Sequence, residues 1–422
     1  LGGRVHSFLH KETNTVVDNG QHIMMGCYKE TLSFLEMINA SEKISMQPKL
    51  SVKFLKPNCD LHLLTENNLF YPMNLLSALL NFSAIDFRDR ISLIRLFLKI
   101  PFFAKRDLEK LSVDELLSKE KQTESTKKSF WEIICVGALN TSLQKASAKV
   151  FVDVLKEIFL KGSKGYKIVL TKAPLSKTFC EPTQKFIEEK GGKIFLSEKV
   201  ESVKVEKNKI SEIITNKRRI DNFDMVISSI PFYALQRIID ESKISYSLLN
   251  IFCKASSSNE NLESNNLKKN LATQWAFNPA YSSILNVHIW LKEKKFESDF
   301  YALIGSQIHW VFCHDTHITC VISDADNFMK LSDDEIINII AKDLFNYLRV
   351  DKNLIKHYLI IKEKRATFIP SSDIVNARPN AETKLKNLVL AGDWVNTGLP
   401  STIESAAKSG RIAAELILNG LI

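Results

Sequence analysis

The residues best suited to bind a polar ligand lie near the C-terminus, in the stretch AGDWVNTGLPST at 391–402. Gly392 and Asp393 follow four apolar residues, 388–391, which are typical of a buried strand. A carboxylate at a strand end can accept hydrogen bonds from sugar-like hydroxyl groups. The same pattern also fits an ordinary turn in which Asp393 is only a turn former. The turn by itself leaves both interpretations open.

A long helix is predicted after this turn. Ser401 followed by Glu404 matches a capping box, and Pro400 stands immediately before it. Small or apolar residues recur on one predicted face at Ile403, Ala407, Gly410, Ala414 and Ile417. Such a face predicts close packing, and the helix start favours a ligand that carries anionic or carbonyl oxygens.

A second candidate group lies near the N-terminus. The chain opens LGGRVHSF and continues to VVDNGQHIMMGCY. The composition of DNG at 18–20 predicts a tight turn with positive φ. Gln21 and His22 follow this turn. A turn histidine often makes only a structural hydrogen bond, so contact with a ligand is an alternative that the turn itself does not decide.

Taken together, the two ends resemble those of the flavin-containing amine oxidase and phytoene desaturase superfamily. The similarity is greater to one branch, the bacterial hydroxysqualene dehydroxylases. It rests on the segments VDNGQHIMMGCYKETLSFL, FWEIICVGALNTSLQKASAKVF, SSILNVHIW, IHWVF, KEKRATFIP and LAGDWVNTGLPSTIESAAKSGRIAAE. These segments are spread along the sequence, so the resemblance covers essentially the whole chain.

The resemblance implies FAD as the cofactor. The residues that it places at FAD are Gly2, Gly3, Arg4, Gly20, Val200, Gly392, Asp393, Pro400, Thr402 and Ile403. The Gly-Gly-Arg segment would meet the pyrophosphate, the Gly-Asp segment the ribityl chain, and Val200 the adenine through its backbone. Gly20 would lie near the flavin ring, so Gln21 and His22 become candidate catalytic contacts with the ring or the substrate.

The fold that the resemblance implies is α/β, with two intertwined domains. A Rossmann-like FAD/NAD(P)-binding domain would comprise 1–65, 161–235 and 366–422. An α+β substrate domain of the amine oxidase type would comprise 66–160 and 236–365. A strand, a GxGxxG turn, a helix and a second strand are expected before the Gly-Gly-Arg segment. The sequence does not contain them and starts at Leu1, so we expect this N-terminal βαβ unit to be absent.

The implied reaction is reductive removal of the hydroxyl group of hydroxysqualene, a long-chain isoprenoid, to give squalene. A protein group would protonate the allylic hydroxyl, water would leave, and hydride from the reduced flavin would quench the cation. Three alternatives stay open. They are a carotenoid or phytoene desaturase that uses the flavin oxidatively, an amine oxidase with an aromatic cage, and a membrane-associated protein without catalysis.

Composition and charge indicate the size class of the protein, its redox compartment and the kinds of partner it can bind. The chain has 422 residues, 45% of them hydrophobic and 25% charged, which is typical of a globular protein large enough for two domains. Its net charge of +9 comes from scattered lysines, and NKRR at 216–219 is too short to predict nucleic-acid binding. Seven cysteines without a CxxC pair predict a reducing cytosol.

A histidine and cysteine cluster near residue 314 raises the question of a metal. Its members are His309, Cys313, His314, His317 and Cys320. Their spacing matches no standard zinc pattern. A hairpin that turns at 314–316 explains the cluster better, so we expect no metal site there or elsewhere.

The segment 69–106 combines apolar and basic residues. Its first 17 residues, 69–85, carry no charge, but that length falls short of the ~20 residues that span a bilayer. The following helix is predicted to have one apolar face, with Phe87, Ile91, Ile94 and Leu98, and a basic stripe of Arg88, Arg95 and Lys99. An interfacial membrane helix and an ordinary core helix both fit this pattern. The first alternative predicts a cytoplasmic protein, peripheral at the inner face of the membrane.

Overall fold

The computed structural model describes residues 1–249, 277–293 and 296–420, which form two compact units. The first unit comprises Leu1–Gly192 and Tyr281–Pro370, and the second comprises Lys193–Ala280 and Ser371–Ile422. Helices and strands mix in both units, which confirms the predicted α/β class.

The elements of the first unit come from both of its chain segments. Its strands are Ser7–His10, Thr15–Asp18, Met24–Met25, Ile44–Met46, Ser51–Lys56, Asp60–Thr65, Ile168–Thr171, Tyr281–Leu291, Phe300–Leu303, Trp310–Cys313, Ile318–Ser323 and Ile355–Phe368. Its α-helices are Lys29–Met37, Met73–Leu80, Phe87–Lys99, Lys105–Leu108, Val113–Lys119, Glu124–Thr126, Glu132–Leu139, Ala148–Phe159, Glu181–Glu189 and Asp333–Leu348.

A large mixed sheet, with seven strands among the described residues, dominates the first unit. Its strand order is Ile355–Phe368, Tyr281–Leu291, Ile318–Ser323, Trp310–Cys313, Phe300–Leu303, Ser51–Lys56 and Asp60–Thr65. Phe300–Leu303 runs parallel to Ser51–Lys56, and the other neighbours are antiparallel. The antiparallel pair formed by Trp310–Cys313 and Ile318–Ser323 confirms the predicted hairpin.

One face of this sheet forms the main core of the unit. Along Tyr281–Leu291, the alternate residues Leu285, Val287 and Ile289 are fully buried against the helix Asp333–Leu348. Burying each such aliphatic side chain contributes roughly 1.5–3 kcal/mol. A capping box of Ser332 with Glu335 begins the helix, as its sequence pattern indicates.

The opposite face of the same strand carries polar and aromatic side chains, and the hairpin formed by Ser7–His10 and Thr15–Asp18 lies over it. Nε2 of His288 lies 3.1 Å from the carbonyl oxygen of Asp18. The indole N–H of Trp290 donates to the Thr15 hydroxyl over 3.2 Å. These contacts fix the hairpin on the sheet, so the turn after Asp18 has a defined position.

The helix Phe87–Lys99 buries a different face from the one that its sequence suggests as apolar. Its core-facing residues are Leu93, Leu96 and Phe97, and the following Ile100 is also buried. By contrast, Phe87 is 63% exposed and Leu98 is 55% exposed. The helix therefore has a second apolar face that the described part of the protein does not fully cover, formed by Phe87, Ile91, Ile94 and Leu98.

In the second unit the strands are Val200–Glu206, Lys209–Thr215, Arg219–Ile220, Val226–Ser228 and Leu388–Leu390, and the α-helices are Phe232–Glu241, Ser372–Ala377 and Ile403–Leu418. Val226–Ser228 and Leu388–Leu390 pair in parallel. The buried side-chain amide of Asn387 exchanges two hydrogen bonds, of 2.8 and 2.9 Å, with the backbone of Ile210. It thereby joins the strand Lys209–Thr215 to the start of Leu388–Leu390.

Candidate functional site

The turn after Leu388–Leu390 is built around Gly392. Its φ of 126° is one that L side chains rarely adopt, and a Cβ there would lie 2.8 Å from Nε1 of Trp394. The Gly392 N–H donates to the hydroxyl of Ser409 over 2.7 Å. The final helix thus holds the turn directly, through a side chain rather than through its N-terminus.

Asp393 is buried immediately after this turn, and its carboxylate accepts a hydrogen bond from the Ser401 hydroxyl. Ser401 is therefore not the helix cap. The cap is Thr402, whose hydroxyl oxygen accepts from the N–H of Ser405 over 3.2 Å. The predicted capping box of Ser401 with Glu404 is wrong by one residue, because Asp393 engages the serine hydroxyl that would have capped the helix.

Arg378, which no sequence motif indicates, holds the backbone of this loop. Its guanidinium donates to the carbonyl oxygens of Asp393 at 2.8 Å and Trp394 at 3.3 Å, and to those of Val395 and Leu399. Burial lowers the pKa of Arg378 to about 10, and the nearby Asp393 charge opposes that shift. The side chain therefore stays charged at neutral pH and fixes four carbonyl groups of one loop. Its only sequence signal is an arginine directly before a proline.

The packed face of the helix Ile403–Leu418 also differs from the predicted one. Its buried residues are Glu404, Ser405, Ser409 and Ala413. Gly410 and Ala414, which the sequence placed on the packed face, are exposed. The reason is polar: the Ser405 hydroxyl lies 2.7 Å from that of Thr397, and Ser409 binds the Gly392 N–H. Hydrogen bonds from serine hydroxyls to the preceding loop, rather than apolar contacts, determine which face of the helix is buried.

In the first unit, the Gly-Gly-Arg segment forms a tight turn. Gly2 and Gly3 have φ values of 92° and 56°, and the Val5 N–H donates to the Gly2 carbonyl over 2.9 Å. A Cβ on Gly2 would lie 2.0 Å from the Val5 carbonyl oxygen, whereas nothing stands within 4 Å of the Cβ position of Gly3. Arg4 donates to the carbonyl of Ala366. The exposed backbone at Gly3 is thus open to close approach by a ligand.

Gly20 lies against Asn286 of the large sheet. A Cβ on Gly20 would lie 2.9 Å from Nδ2 of Asn286. Its φ is not positive, nor are those of Asp18 and Asn19, so that part of the turn prediction is wrong. Glycine suits this position because a Cβ would crowd the Asn286 side chain. Asn286 is 2% exposed, and its Oδ1 has no hydrogen-bond partner among the described residues. A buried amide oxygen in that state can accept a hydrogen bond from a ligand.

Gln21 and His22 follow, both half-buried. Burial, with the nearby Arg4 charge, lowers the pKa of His22 to about 4, and a hydrogen bond to the Arg4 backbone opposes the shift. His22 is therefore neutral at pH 7. The neutral imidazole can donate or accept a hydrogen bond. Very little of it is protonated at pH 7, so it would be a poor general acid.

Val200 begins the strand Val200–Glu206, and a bulge separates it from Ser202. At a bulge, backbone N–H and C=O groups leave the regular ladder and become available to a ligand. The contact of the Val200 backbone with an adenine ring stays a prediction.

The histidines of the predicted hairpin stack on one another: the rings of His314 and His317 are 4.6 Å apart. His314 also lies 3.1 Å from the Thr319 hydroxyl.

Each unit therefore offers features that fit a flavin dinucleotide. The first has an open glycine backbone at Gly3 and an unpartnered buried oxygen on Asn286. The second has a buried carboxylate, Asp393, on a loop held by Arg378. Asn286 was not predicted as a site residue, because alternation of polar and apolar residues is ordinary in a strand, and this one also carries Ser282 and His288.

Comparison with known proteins identifies the cofactor class. The model of the family "Flavin containing amine oxidoreductase" matches residues 1–418. The hydroxysqualene dehydroxylase of Zymomonas mobilis is 23% identical over 429 residues, which cover 99% of this chain and 91% of that protein. The zeta-carotene desaturase of Synechocystis is 21% identical, with 99% and 90% covered.

Among solved structures, an oxidoreductase from Methanosarcina mazei is similar in fold. It gives a TM-score of 0.69 at 14% identity, with 98% of this chain and 91% of that one covered. Because the family match extends over nearly the whole chain, this protein belongs to the flavin-containing amine oxidoreductase family and is an FAD-dependent oxidoreductase.

Proposed function

We propose that this oxidoreductase removes the hydroxyl group of hydroxysqualene reductively and releases squalene. The observation that carries the proposal is the similarity to a hydroxysqualene dehydroxylase along almost the full length of both chains. In the balanced reaction the C–O bond breaks, a proton joins the leaving hydroxyl to give water, and a hydride forms the new C–H bond. FAD in its reduced form supplies that hydride.

The proposed roles of the chain's own residues follow from their positions. In the first unit, Gly3 gives the cofactor pyrophosphate access to the backbone. The amide oxygen of Asn286, next to Gly20, accepts a hydrogen bond from the bound ligand. His22, neutral at pH 7, donates a hydrogen bond to the flavin or the leaving hydroxyl rather than storing the proton. In the second unit, Asp393 binds the ribityl hydroxyls.

Hydroxysqualene is a C30 isoprenoid alcohol that is almost insoluble in water, so under this proposal the enzyme collects it from a membrane. Each methylene moved out of an apolar phase into water costs about 0.8 kcal/mol. We propose that the protein docks on an anionic phospholipid bilayer through an exposed apolar patch. The patch consists of Leu69, Phe70, Met73, Phe87, Leu98, Phe102 and Leu160.

Two hydrogen bonds bring part of this patch together. The Tyr71 hydroxyl donates to the carbonyl of Phe159 over 2.6 Å, and Nζ of Lys156 donates to the carbonyl of Phe103 over 3.2 Å. Phe159 and Lys156 are one turn apart on the same helix. The neighbours Phe70 and Phe102, 76% and 84% exposed, therefore flank that helix end.

Charge favours a lipid surface over a second copy of the protein. Arg88 and Arg95 are exposed beside the apolar face of Phe87–Lys99, and neither forms an ion pair within the described residues. Lys99 is exposed as well but pairs with Glu120 at 2.6 Å. Basic side chains around an apolar patch match the anionic inner face of a cytoplasmic membrane. No helix among the described residues is long and apolar enough to cross a bilayer.

Product analysis tests the proposed reaction. The flavin-loaded enzyme is incubated without oxygen with hydroxysqualene and a chemical reductant, and the extract is analysed by mass spectrometry. We expect squalene, lighter than the substrate by one oxygen atom. A desaturase would instead introduce double bonds into phytoene in the presence of an electron acceptor, and an amine oxidase would release peroxide from putrescine. Either of those activities without squalene formation would overturn the proposal.

A further inference from the structure

A group of three potential metal ligands lies at the edge of the large sheet, away from the Asp18–Gly20 turn. His10 ends the first strand of the N-terminal hairpin, Glu12 lies in its loop, and His357 lies on the edge strand Ile355–Phe368. One ligand atom from each lies within 4.8 Å of the other two. His10 and His357 are 347 positions apart, so the sequence gives no sign of this group.

The imidazole rings are held in place before any ligand binds. Trp290, 6% exposed, stacks on His10 with ring centroids 5.2 Å apart and lies 5.3 Å from the ring of His357. Nδ1 of His10 lies 3.0 Å from the Thr13 hydroxyl. Ligand histidines commonly use one ring nitrogen in an orienting hydrogen bond, and the contact with Thr13 leaves Nε2 of His10 to face a metal ion.

One ligand atom lacks the partner that its burial requires. Nε2 of His357 is buried and makes no hydrogen bond with the described residues. The nearest acidic atom, Oε2 of Glu12, is 3.6 Å away, too far for a hydrogen bond. Buried ring nitrogens are normally satisfied, so an additional partner is expected at this position.

We propose that His10, Glu12 and His357 bind a divalent transition metal ion such as Zn²⁺. Two imidazoles and one carboxylate are a common zinc ligand set, with metal bonds of about 2.0–2.2 Å. Tetrahedral geometry at that bond length places the ligand atoms roughly 3.4 Å apart. The 3.6 Å between Nε2 of His357 and Oε2 of Glu12 is close to this value, and the exposed Glu12 side chain can move to shorten its other distances. A water molecule would complete the shell. The ion would tie the N-terminal hairpin to the edge of the sheet.

Cobalt and zinc titrations of the metal-stripped full chain test the proposal. We expect one Co²⁺ per chain, with visible bands of a tetrahedral site but without the charge-transfer absorption of a thiolate ligand, which separates this site from the cysteines. Zn²⁺ should displace the cobalt. Zn²⁺ should also raise the thermal midpoint.

Matched variants locate the ion. His10→Gln and His357→Gln should each weaken Zn²⁺ binding by more than about a hundredfold, and Glu12→Gln by at least about tenfold, whereas His6→Gln and Glu42→Gln should bind like the parent. Circular dichroism confirms that each variant is folded. An absence of stoichiometric binding to the parent, or unchanged binding in His357→Gln, would overturn the proposal.

Discussion

Nη2 of Arg378 donates a hydrogen bond to the backbone carbonyl of Asp393 over 2.8 Å, inside the second unit. The same guanidinium also binds the carbonyls of Trp394, Val395 and Leu399. A loop without regular secondary structure is thereby fixed by one side chain. Arg378 is thus a positioning residue for the carboxylate that we assign to the cofactor.

Replacing Arg378 should destabilise the protein strongly. Arg378→Met leaves several buried carbonyls without donors, at about 1–3 kcal/mol for each acceptor. We expect a large fall in the thermal midpoint and loss of flavin. Arg378→Lys keeps the charge but not the forked geometry, so it should recover only part of the stability. Arg219→Ala, at an exposed arginine, is the control and should change little. A parent-like midpoint for Arg378→Met would show that the contacts contribute nothing.

The role of Asp393 is separable from that of its partner Ser401. Asp393→Ala should release flavin because it removes a charge-assisted hydrogen bond worth about 1.5–3 kcal/mol. Ser401→Ala removes only the hydroxyl that donates to this carboxylate, so it should keep the flavin. Flavin absorbance after desalting, together with circular dichroism, measures both effects. If Asp393→Ala retains flavin at parental affinity, the carboxylate does not bind the ribityl chain.

The contact between Gly20 and Asn286 predicts a non-additive pair of mutations. Gly20→Ala should be destabilising, because the new Cβ would lie 2.9 Å from Nδ2 of Asn286. Shortening the amide in Asn286→Ala removes the obstacle, so the double variant should recover stability relative to Gly20→Ala. A coupling of roughly 1–2 kcal/mol is expected from denaturant titrations of the four proteins. Additive effects would mean that the turn relaxes away from the sheet.

Gly20 also illustrates what the sequence can and cannot predict. The letters DNG correctly indicate that the chain changes direction, which it does in a bend at 19–20, but they suggest positive φ as the reason for glycine. The actual reason is an asparagine 266 positions away, and such contacts become visible only in the folded chain. Arg378 was not predicted for a different reason: its partners, carbonyl groups 15–21 positions further along the chain, follow no periodic pattern in the sequence.

The helix Phe87–Lys99 shows a second limit. The prediction from sequence identified only one apolar face of this helix, whereas the helix also carries a second one, and periodicity does not decide which face the core covers. The fold buries Leu93, Leu96 and Phe97 and leaves Phe87 and Leu98 exposed. By contrast, the hairpin at 314–316 follows from a local pattern and was predicted correctly. The α/β class was also predicted correctly, but from the family resemblance rather than from local patterns.

The membrane proposal predicts that vesicle binding depends both on the basic residues and on the apolar residues of the patch. Arg88→Glu with Arg95→Glu should reduce co-sedimentation with anionic vesicles, since each basic residue near the surface contributes about 1 kcal/mol. Phe70→Ser with Phe102→Ser should weaken binding without changing charge. Lys99 is left unchanged because of its pair with Glu120.

The matched control for charge is Lys193→Glu with Lys209→Glu, two exposed lysines of the second unit that form no ion pair within the described residues. It lowers the net charge equally and should bind vesicles like the parent. If both basic pairs have the same effect, only the overall charge matters. If the phenylalanine variant instead changes the oligomeric state, the patch is a contact between copies of the protein.

The most direct test of the proposed function is anaerobic reoxidation of the reduced holoenzyme by hydroxysqualene. The flavin absorbance near its oxidised maximum is followed after mixing, and squalene is quantified in the same sample. We predict that the substrate restores the oxidised spectrum and that one squalene forms for each flavin reoxidised. Reduced enzyme that stays reduced with hydroxysqualene, but is reoxidised by oxygen or a quinone, would contradict the proposal.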